Sequence, residues 1–231
     1  MVEVTLVKII EDVPFYKEYM KYVSIDRKLK IIKYKNEIDK KRSLLTELLI
    51  KKATNQALNI PINEIKISYN PYGKPYIDNV RNFKFNVSHS GSYVVIATSK
   101  GKVGIDIEQI NNVDSGISDR FYTEKENEYI SFFESEEKKE EAFYAIWTLK
   151  ESYVKALGKG LRIPLNSFEF EIDKNMNVKV LDYSRKEMFS FYTTKIEDHS
   201  LSICFQGQKL NKEFRFMPEK DLYNFYEGAA S

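Results

Sequence analysis

Cysteine is nearly absent from this 231-residue chain, which has only Cys204. That excludes an internal disulfide framework and a zinc site built on clustered thiolates. Histidine is almost as scarce, with His89 and His199 alone. Nine glycines and six prolines are too few for a collagen-like or low-complexity chain. Net charge is also lacking. The 36 Lys+Arg and 34 Asp+Glu leave +2, so no global basic coat for nucleic acid is indicated. No apolar run approaches the roughly 18 residues of a membrane span. The opening MVEVTLVKIIEDVPF reads as a strand that meets charge too soon for a secretory leader. Aromatics are plentiful, with 15 Phe and 16 Tyr, which a disordered chain would not carry. The expectation is a soluble, cytoplasmic, globular protein of one to two domains at about 150 residues each, with a core that needs no staple.

Hydrophobic spacing predicts the elements. Residues 2–10 alternate as a strand, and Phe15, Tyr19, Tyr22 and Val23 stand at roughly helical spacing within a stretch that ends lysine-rich. The clearest helix is 39–58, where Leu44, Leu45, Leu48, Leu49 and Ala53 form one stripe. A short strand at 65–67 and a turn-rich loop at 70–75 follow. Strands are predicted at 83–87, 93–97 and 103–108, the second buried on both faces because its apolar run is continuous. A loop at 109–118 and an acidic, partly helical 119–137 lead to a strong helix at 140–157, stopped by Gly158-Lys159-Gly160. Three strands to about 206, with Cys204 as an ordinary strand residue, and a loosely docked tail complete the chain. The order strand, helix, strands occurs twice, and Leu45–Lys51 faintly echoes Leu149–Lys155. The predicted class is α+β, two pseudo-symmetric α/β lobes, divided as 1–102, 103–210 and a tail 211–231.

Residues two apart on a strand share a face. Asp106 and Glu108 therefore point one way, while Ile105 and Ile107 point into the core. Two such carboxylates are tolerable on a solvated face or around a cation, and oxygen-only ligands suit Mg²⁺ or Mn²⁺ over Zn²⁺. Glu151 and Lys155 stand one turn apart beside Lys150, which fits a salt-bridged exposed face as well as a site. Ser88-His89-Ser90-Gly91 ends a strand. Neighbours on an extended chain point apart, so Ser88 and His89 cannot form a nucleophile–base dyad. G-x-S-x-G is absent. A hydroxyl, an imidazole and a glycine there suit phosphate oxygens instead. His199 reads as a turn residue. Arg27, Lys28, Lys30, Lys33, Lys35 and Lys40-Lys41-Arg42 fit a solvated face, a nucleic-acid patch or a phosphate site.

Taken in order, YGKP at 72–75, FNVSHS at 85–90, GIDIE at 104–108, RFYTEKE at 120–126, WTLKESYVK at 147–155 and GKG at 158–160 resemble one family. It is the 4′-phosphopantetheinyl transferases of the surfactin-synthetase-activating (Sfp) type, and the likeness spans about residues 25–170. The resemblance implies an active site in the cleft between two lobes. It implies transfer of 4′-phosphopantetheine from coenzyme A to a serine hydroxyl of an acyl or peptidyl carrier protein, releasing adenosine 3′,5′-bisphosphate. Mg²⁺, or Mn²⁺, would be held by Asp106, Glu108 and Glu151. Lys155 would meet the pyrophosphate, and Ser88 and His89 the coenzyme A phosphates, with His89 donating to the 3′-phosphate. Lys74 would lie beside the adenine and phosphates, and Arg27, Lys30 and Arg42 toward the 3′-phosphate. Arg27 stands where a lysine is common. Glu126, Glu151 or a metal-bound water would take the serine proton. Phe121, Tyr122, Tyr129, Phe132 and Phe133 fit the apolar part of a carrier dock or this chain's own core. The resemblance further implies a cytoplasmic monomer without nucleic-acid or membrane partners, serving fatty-acid, polyketide or nonribosomal-peptide synthesis. The alternative is a non-catalytic module that binds coenzyme A or RNA through residues 27–42, which leaves the three carboxylates unexplained.

Overall fold

The computed structural model, which describes residues 1–10, 17–112, 118–173 and 177–228, repeats one series of elements. The first pass runs β1 (Glu3–Lys8), α1 (Ile25–Lys33), α2 (Glu37–Leu58), a hairpin of β2 (Ile67–Tyr69) and β3 (Pro75–Ile77), then β4 (Lys84–Ser90) and β5 (Tyr93–Ser99). The second runs β6 (Val103–Gln109), the short α3 (Ser118–Phe121), α4 (Glu124–Ser131), α5 (Glu136–Leu157), a hairpin of β7 (Glu169–Ile172) and β8 (Val178–Leu181), then β9 (Ser190–Ile196) and β10 (His199–Phe205). Each pass places its first strand beside its last, giving the orders β1-β5-β4 and β6-β10-β9. α2 and α5 are each 22 residues long and end on a left-handed residue, Asn59 (φ 54°) and Gly158 (φ 69°). The predicted pair of α+β lobes is thus present. The sequence echo is not its basis: aligning the helix ends pairs Leu45 with Tyr144 rather than with Leu149. The likeness of the lobes is topological.

The two sheets pack face to face. Val4, Leu6, Tyr93, Val95 and Ala97 of the first meet Val103, Ile105, Ile107, Leu201 and Ile203 of the second. The alternate residues Val7, Val94 and Ile96 face α2 instead. The run at 93–97 is therefore buried on both faces, as its continuity predicted. α5 covers the outer face of the second sheet with Leu149, Tyr153 and Val154. Burial of each such side chain contributes roughly 1.5–3 kcal/mol. α5 lies very close to β6 because Gly104 has no side chain. A Cβ there would stand 1.9 Å from the Ser152 carbonyl oxygen and 2.5 Å from the Ala156 nitrogen.

Several expectations change. The helical spacing ascribed to 15–35 becomes a 3₁₀ turn, Lys17–Tyr22, followed by α1, and Phe15 lies outside the described residues. α5 starts four residues early because the Ser135 side chain caps it, accepting from the Lys138 N–H. Among the described residues four strands, not three, lie between α5 and residue 206. The closing segment is not loosely docked. Its strand β11 (Arg215–Pro218) pairs parallel to β1, and α6 (Glu219–Gly228) buries Leu222, Tyr223 and Tyr226 in the first lobe's core. Tyr226 donates to the Leu48 carbonyl at 2.6 Å. His199 is not a turn residue either. The turn is made by Glu197 (φ 53°) and Asp198, and His199 opens β10, fully buried and edge-on to Tyr93 at 5.0 Å. Cys204 is a buried strand residue whose thiol burial pushes well up. No helix among the described residues is long and apolar enough to cross a membrane.

Candidate active site

Where the lobes meet, β4 and β6 are joined by side chains rather than by a backbone ladder. The two strands match residue for residue at a period of two. The Asn86 side-chain oxygen accepts from the Ile105 N–H at 2.8 Å. Ser88 Oγ donates to Asp106 Oδ1 at 2.8 Å, and Ser90 Oγ donates to Glu108 Oε2 at 2.7 Å. Ser90 Oγ also accepts from the Gln109 N–H at 3.1 Å. Ile105 and Ile107 point into the inter-sheet core, so alternation turns Asp106 and Glu108 toward α5. The solvated-face alternative fails for Asp106, which is 2 % exposed.

α5 brings the remaining groups. Lys155 Nζ lies 2.5 Å from Asp106 Oδ1 and donates to Ser88 Oγ at 2.9 Å, closing a triangle across the lobes. Glu151, one turn earlier, is half-buried. Burial first, and then the Asp106 charge, raises the Glu151 carboxyl above its ordinary range. The same causes in the same order push Glu108 up to about 7. The register of α5 on the sheet is held by hydroxyls. Thr148 Oγ1 lies 2.7 Å from Ser202 Oγ and 3.2 Å from Ser200 Oγ, and Ser202 and Ser200 sit opposite Asp106 and Glu108 in the strand register.

Three carboxylates in mutual electrostatic range with one ammonium leave an excess of negative charge. Asp106 Oδ2 is buried and accepts no hydrogen bond, a costly state for an ionised oxygen. Such hard oxygen donors fit a divalent cation of the Mg²⁺ type. Among the described residues no three His, Cys, Asp or Glu side chains yet converge on one point, so Glu108 and Glu151 would have to swing toward Asp106 to share an ion.

The cationic positions divide. His89 alternates away from Ser88 and opens to solvent. Crowding by the surrounding protein, then the charges of Lys155 and Arg42, push its ring down to about 4, with Lys30 adding to the effect. Arg42 holds the Gly91 carbonyl with Nε at 2.9 Å and pairs with Asp39 at 2.9 Å. Lys30 is exposed on α1. Arg27 is tied to Glu47 at 3.3 Å, Ser43 at 3.4 Å and the Tyr69 hydroxyl at 3.3 Å. Lys41 is buried beside Glu219 at 3.7 Å, so the basic stretch is not one solvated face.

Two expected site residues lie elsewhere. Lys74 turns its ammonium into the end of α5, donating to the Lys155 carbonyl at 2.6 Å and to Val103 at 3.0 Å, and burial pushes it down to about 8. It clamps the lobes and caps a helix C-terminus, so its side chain is not directed at a phosphate. Glu126 has no exposed surface. One oxygen accepts from the Phe170 N–H at 2.8 Å, and the other accepts from the Thr123 N–H at 2.9 Å and pairs with Lys150 at 2.8 Å. A carboxylate so enclosed cannot reach a serine hydroxyl, and the role of base does not fit it. Lys150 fits neither the exposed face nor the site: it is the buried partner of this pair and also donates to the Leu165 and Phe168 carbonyls at 2.8 and 2.9 Å. Tyr122 is buried and donates to the Phe143 carbonyl at 2.9 Å, whereas Phe132 is 82 % exposed. Asn86, Ser90 and Thr148 were missed as supports. The signal for the first two was the period-two match of Asn86-x-Ser88-x-Ser90 with Asp106-x-Glu108.

Comparison with known proteins adds the following. Residues 102–204 match the family model described as 4′-phosphopantetheinyl transferase superfamily, and residues 13–101 match 4′-phosphopantetheinyl transferase, N-terminal. The chain is 42% identical to 4′-phosphopantetheinyl transferase gsp of Aneurinibacillus migulanus, over 79% of this chain and 76% of that protein. It is 30% identical to 4′-phosphopantetheinyl transferase Sfp of Bacillus subtilis (strain 168), over 70% and 72%. Among solved structures, a holo-(acyl-carrier-protein) synthase from Bacillus anthracis aligns at 18% identity with a TM-score of 0.41, covering 46% of this chain and 96% of that one.

Proposed function

The chain belongs to the 4′-phosphopantetheinyl transferase superfamily, and from that premise we infer how its own residues serve the reaction. The enzyme transfers the 4′-phosphopantetheine group of coenzyme A to a serine hydroxyl of a carrier protein. The P–O bond to the adenosine bisphosphate breaks, a bond from the serine oxygen to phosphorus forms, and the serine proton leaves to a base. The observation that carries the site assignment is the Lys155–Ser88–Asp106 triangle, with Glu108 and Glu151 in electrostatic range of it.

Lys155 would neutralise the pyrophosphate as charge grows on it, the usual source of the largest rate effect in phosphoryl chemistry. Its present bond to Asp106 keeps the ammonium oriented before substrate arrives. Ser88 would turn its one O–H from Asp106 to an adjoining phosphate oxygen. His89, open to solvent beside Arg42 and Lys30, would hold the 3′-phosphate. With Glu126 set aside, Glu151 or a bound water would take the serine proton. Asp106, Glu108 and Glu151 would hold Mg²⁺, which when bound supplies charge stabilisation to the pyrophosphate. Arg27 supports this face through Glu47 rather than as a free guanidinium. The meeting of the two family matches at residues 101 and 102 supports dividing the lobes there, with the closing segment assigned to the first lobe. Fusion of both lobes in one chain supports a monomer, and the lone buried Cys204 suits a reducing cytoplasm.

Intact-mass spectrometry of an apo carrier domain mixed with this protein, coenzyme A and Mg²⁺, beside an EDTA control, tests the reading. A gain of one phosphopantetheine that vanishes with EDTA is expected. Coenzyme A binding without any gain across several fatty-acid and peptidyl carriers would leave only a binding module.

A further inference from the structure

Among the described residues, only Asp106 and His199 keep a buried side-chain nitrogen or oxygen without a hydrogen bond. Asp106 belongs to the site. His199 has both ring nitrogens enclosed and neither bonded. Its Nδ1 lies 2.7 Å from Asp198 Oδ1, but off the line of a hydrogen bond. A buried nitrogen left so is costly and calls for a reason. The ring points at the turn between β4 and β5. A Cβ on Gly91 would stand 2.3 Å from His199 Nε2 and 2.9 Å from Gln109 Oε1. The ring therefore fills the place where any other residue's side chain would begin, and Gly91 sits against it at a left-handed φ of 50°. Gln109 is aimed at the same point. Its side-chain nitrogen donates to Asp198 Oδ2 at 2.8 Å, and its backbone N–H donates to Ser90 Oγ at 3.1 Å. From the first lobe, Arg42 grips the Gly91 carbonyl with Nε at 2.9 Å. Gly91 is thus held between a guanidinium of one lobe and an imidazole of the other. The two residues before it belong to the site: Ser90 holds Glu108 at 2.7 Å, and His89 opens to solvent.

We propose that His199 is a positioning residue: its ring is the stop against which the β4–β5 turn rests, and through Gly91 it fixes where His89 stands for the phosphates of coenzyme A. The proposal rests on the reaction proposed above. It accounts for a ring kept without hydrogen bonds, because the work is done by shape. The ring cannot retreat, since it is fully buried and Tyr93 braces it edge-on at 5.0 Å. Gly91 cannot rise, since Arg42 holds its carbonyl.

The test is calorimetric titration of the full chain with adenosine 3′,5′-bisphosphate, beside steady-state kinetics with coenzyme A as the varied substrate. His199→Asn removes the atom under Gly91, and the longer His199→Gln puts one back near the Nε2 position. His199→Asn should weaken nucleotide binding and raise KM for coenzyme A by about fivefold or more, with kcat at saturating coenzyme A within about twofold. His199→Gln should recover most of that loss. Gly91→Ala probes the same contact from the other side, and its methyl should cut nucleotide affinity by about tenfold or more. Adding His199→Ala makes room for the methyl, so the double variant should bind more tightly than Gly91→Ala alone. A lowered unfolding midpoint in His199→Asn, with nucleotide affinity and KM unchanged, would make the ring plain core packing and overturns the proposal. So does a double variant whose losses simply add. A wild-type protein that binds no nucleotide and modifies no carrier removes the underlying reaction and the proposal with it, an outcome distinct from a working enzyme indifferent to His199.

Discussion

Lys155 places its ammonium 2.5 Å from Asp106 Oδ1 and leaves Asp106 Oδ2 without a hydrogen bond. One oxygen orients the ammonium of Lys155, and the other has no partner; in the function proposed above it would face the metal. Asp106→Asn keeps the shape and removes the charge. Turnover should fall by at least about 100-fold, roughly 2.7 kcal/mol of transition-state stabilisation. Thermal unfolding should move by only a few degrees, because Lys155 is 28 % exposed and can turn to water. Steady-state kinetics beside a melting curve check both halves. A folded Asp106→Asn protein with normal turnover would remove the site assignment.

The buried pair Glu126–Lys150 makes the opposite prediction. Neither side chain has exposed surface. Glu126→Leu strands an ammonium on neutral carbonyls, and breaking such a pair costs about 3–5 kcal/mol. The denaturant midpoint should drop accordingly, while the folded fraction keeps its kcat within about twofold. Adding Lys150→Met should recover much of the loss. A kcat collapse at native stability would instead return Glu126 to the list of bases.

Much of this was legible in the chain because the period of two is short and strict. It turned Asp106 and Glu108 to one face and Ile105 and Ile107 to the other, and it marked 93–97 as doubly buried. What alternation cannot say is which partner strand a face meets. Ser90 and Asn86 were therefore missed, since their roles exist only once β4 lies along β6. Glu126 and Lys74 misled for the same reason. The motif places both near the site in sequence, but the fold turns one into a capping box and the other into the end of α5. The closing helix was too short to read, with its buried face limited to Leu222, Tyr223 and Tyr226.

His89 has a ring pushed down to about 4, against an ordinary value near 6.5. It is neutral at pH 7 in the free enzyme. The sign follows. Between pH 6.5 and about 4 the unfolded chain binds the proton and the native one does not, so this group costs stability as pH falls through that window. A phosphate dianion placed on the ring favours the charged form. Adding adenosine 3′,5′-bisphosphate should therefore raise the His89 midpoint, with proton uptake on binding at pH 5–6. NMR titration of the ring carbons with and without the nucleotide reads it directly. A midpoint that ignores the nucleotide separates His89 from the phosphate.

Gly104 links packing to chemistry. A Cβ there would meet the Ser152 carbonyl oxygen at 1.9 Å and the Ala156 nitrogen at 2.5 Å. Both are backbone atoms of α5, and neither can rotate away. Gly104→Ala must push the helix off β6, and Glu151 and Lys155 ride on the same turns. Overpacking of this kind typically costs about 1–3 kcal/mol, and a contact with backbone belongs at the upper end. The Lys155–Asp106 distance must lengthen with the helix, so turnover should fall along with the unfolding midpoint. Gly228→Ala is the control, since nothing lies within 4 Å of a Cβ there, and it should change neither. Equal midpoints and equal turnover for the two variants would mean that α5 yields to a methyl group without moving the site. The close approach at Gly104 would then have no part in setting the reach of Lys155.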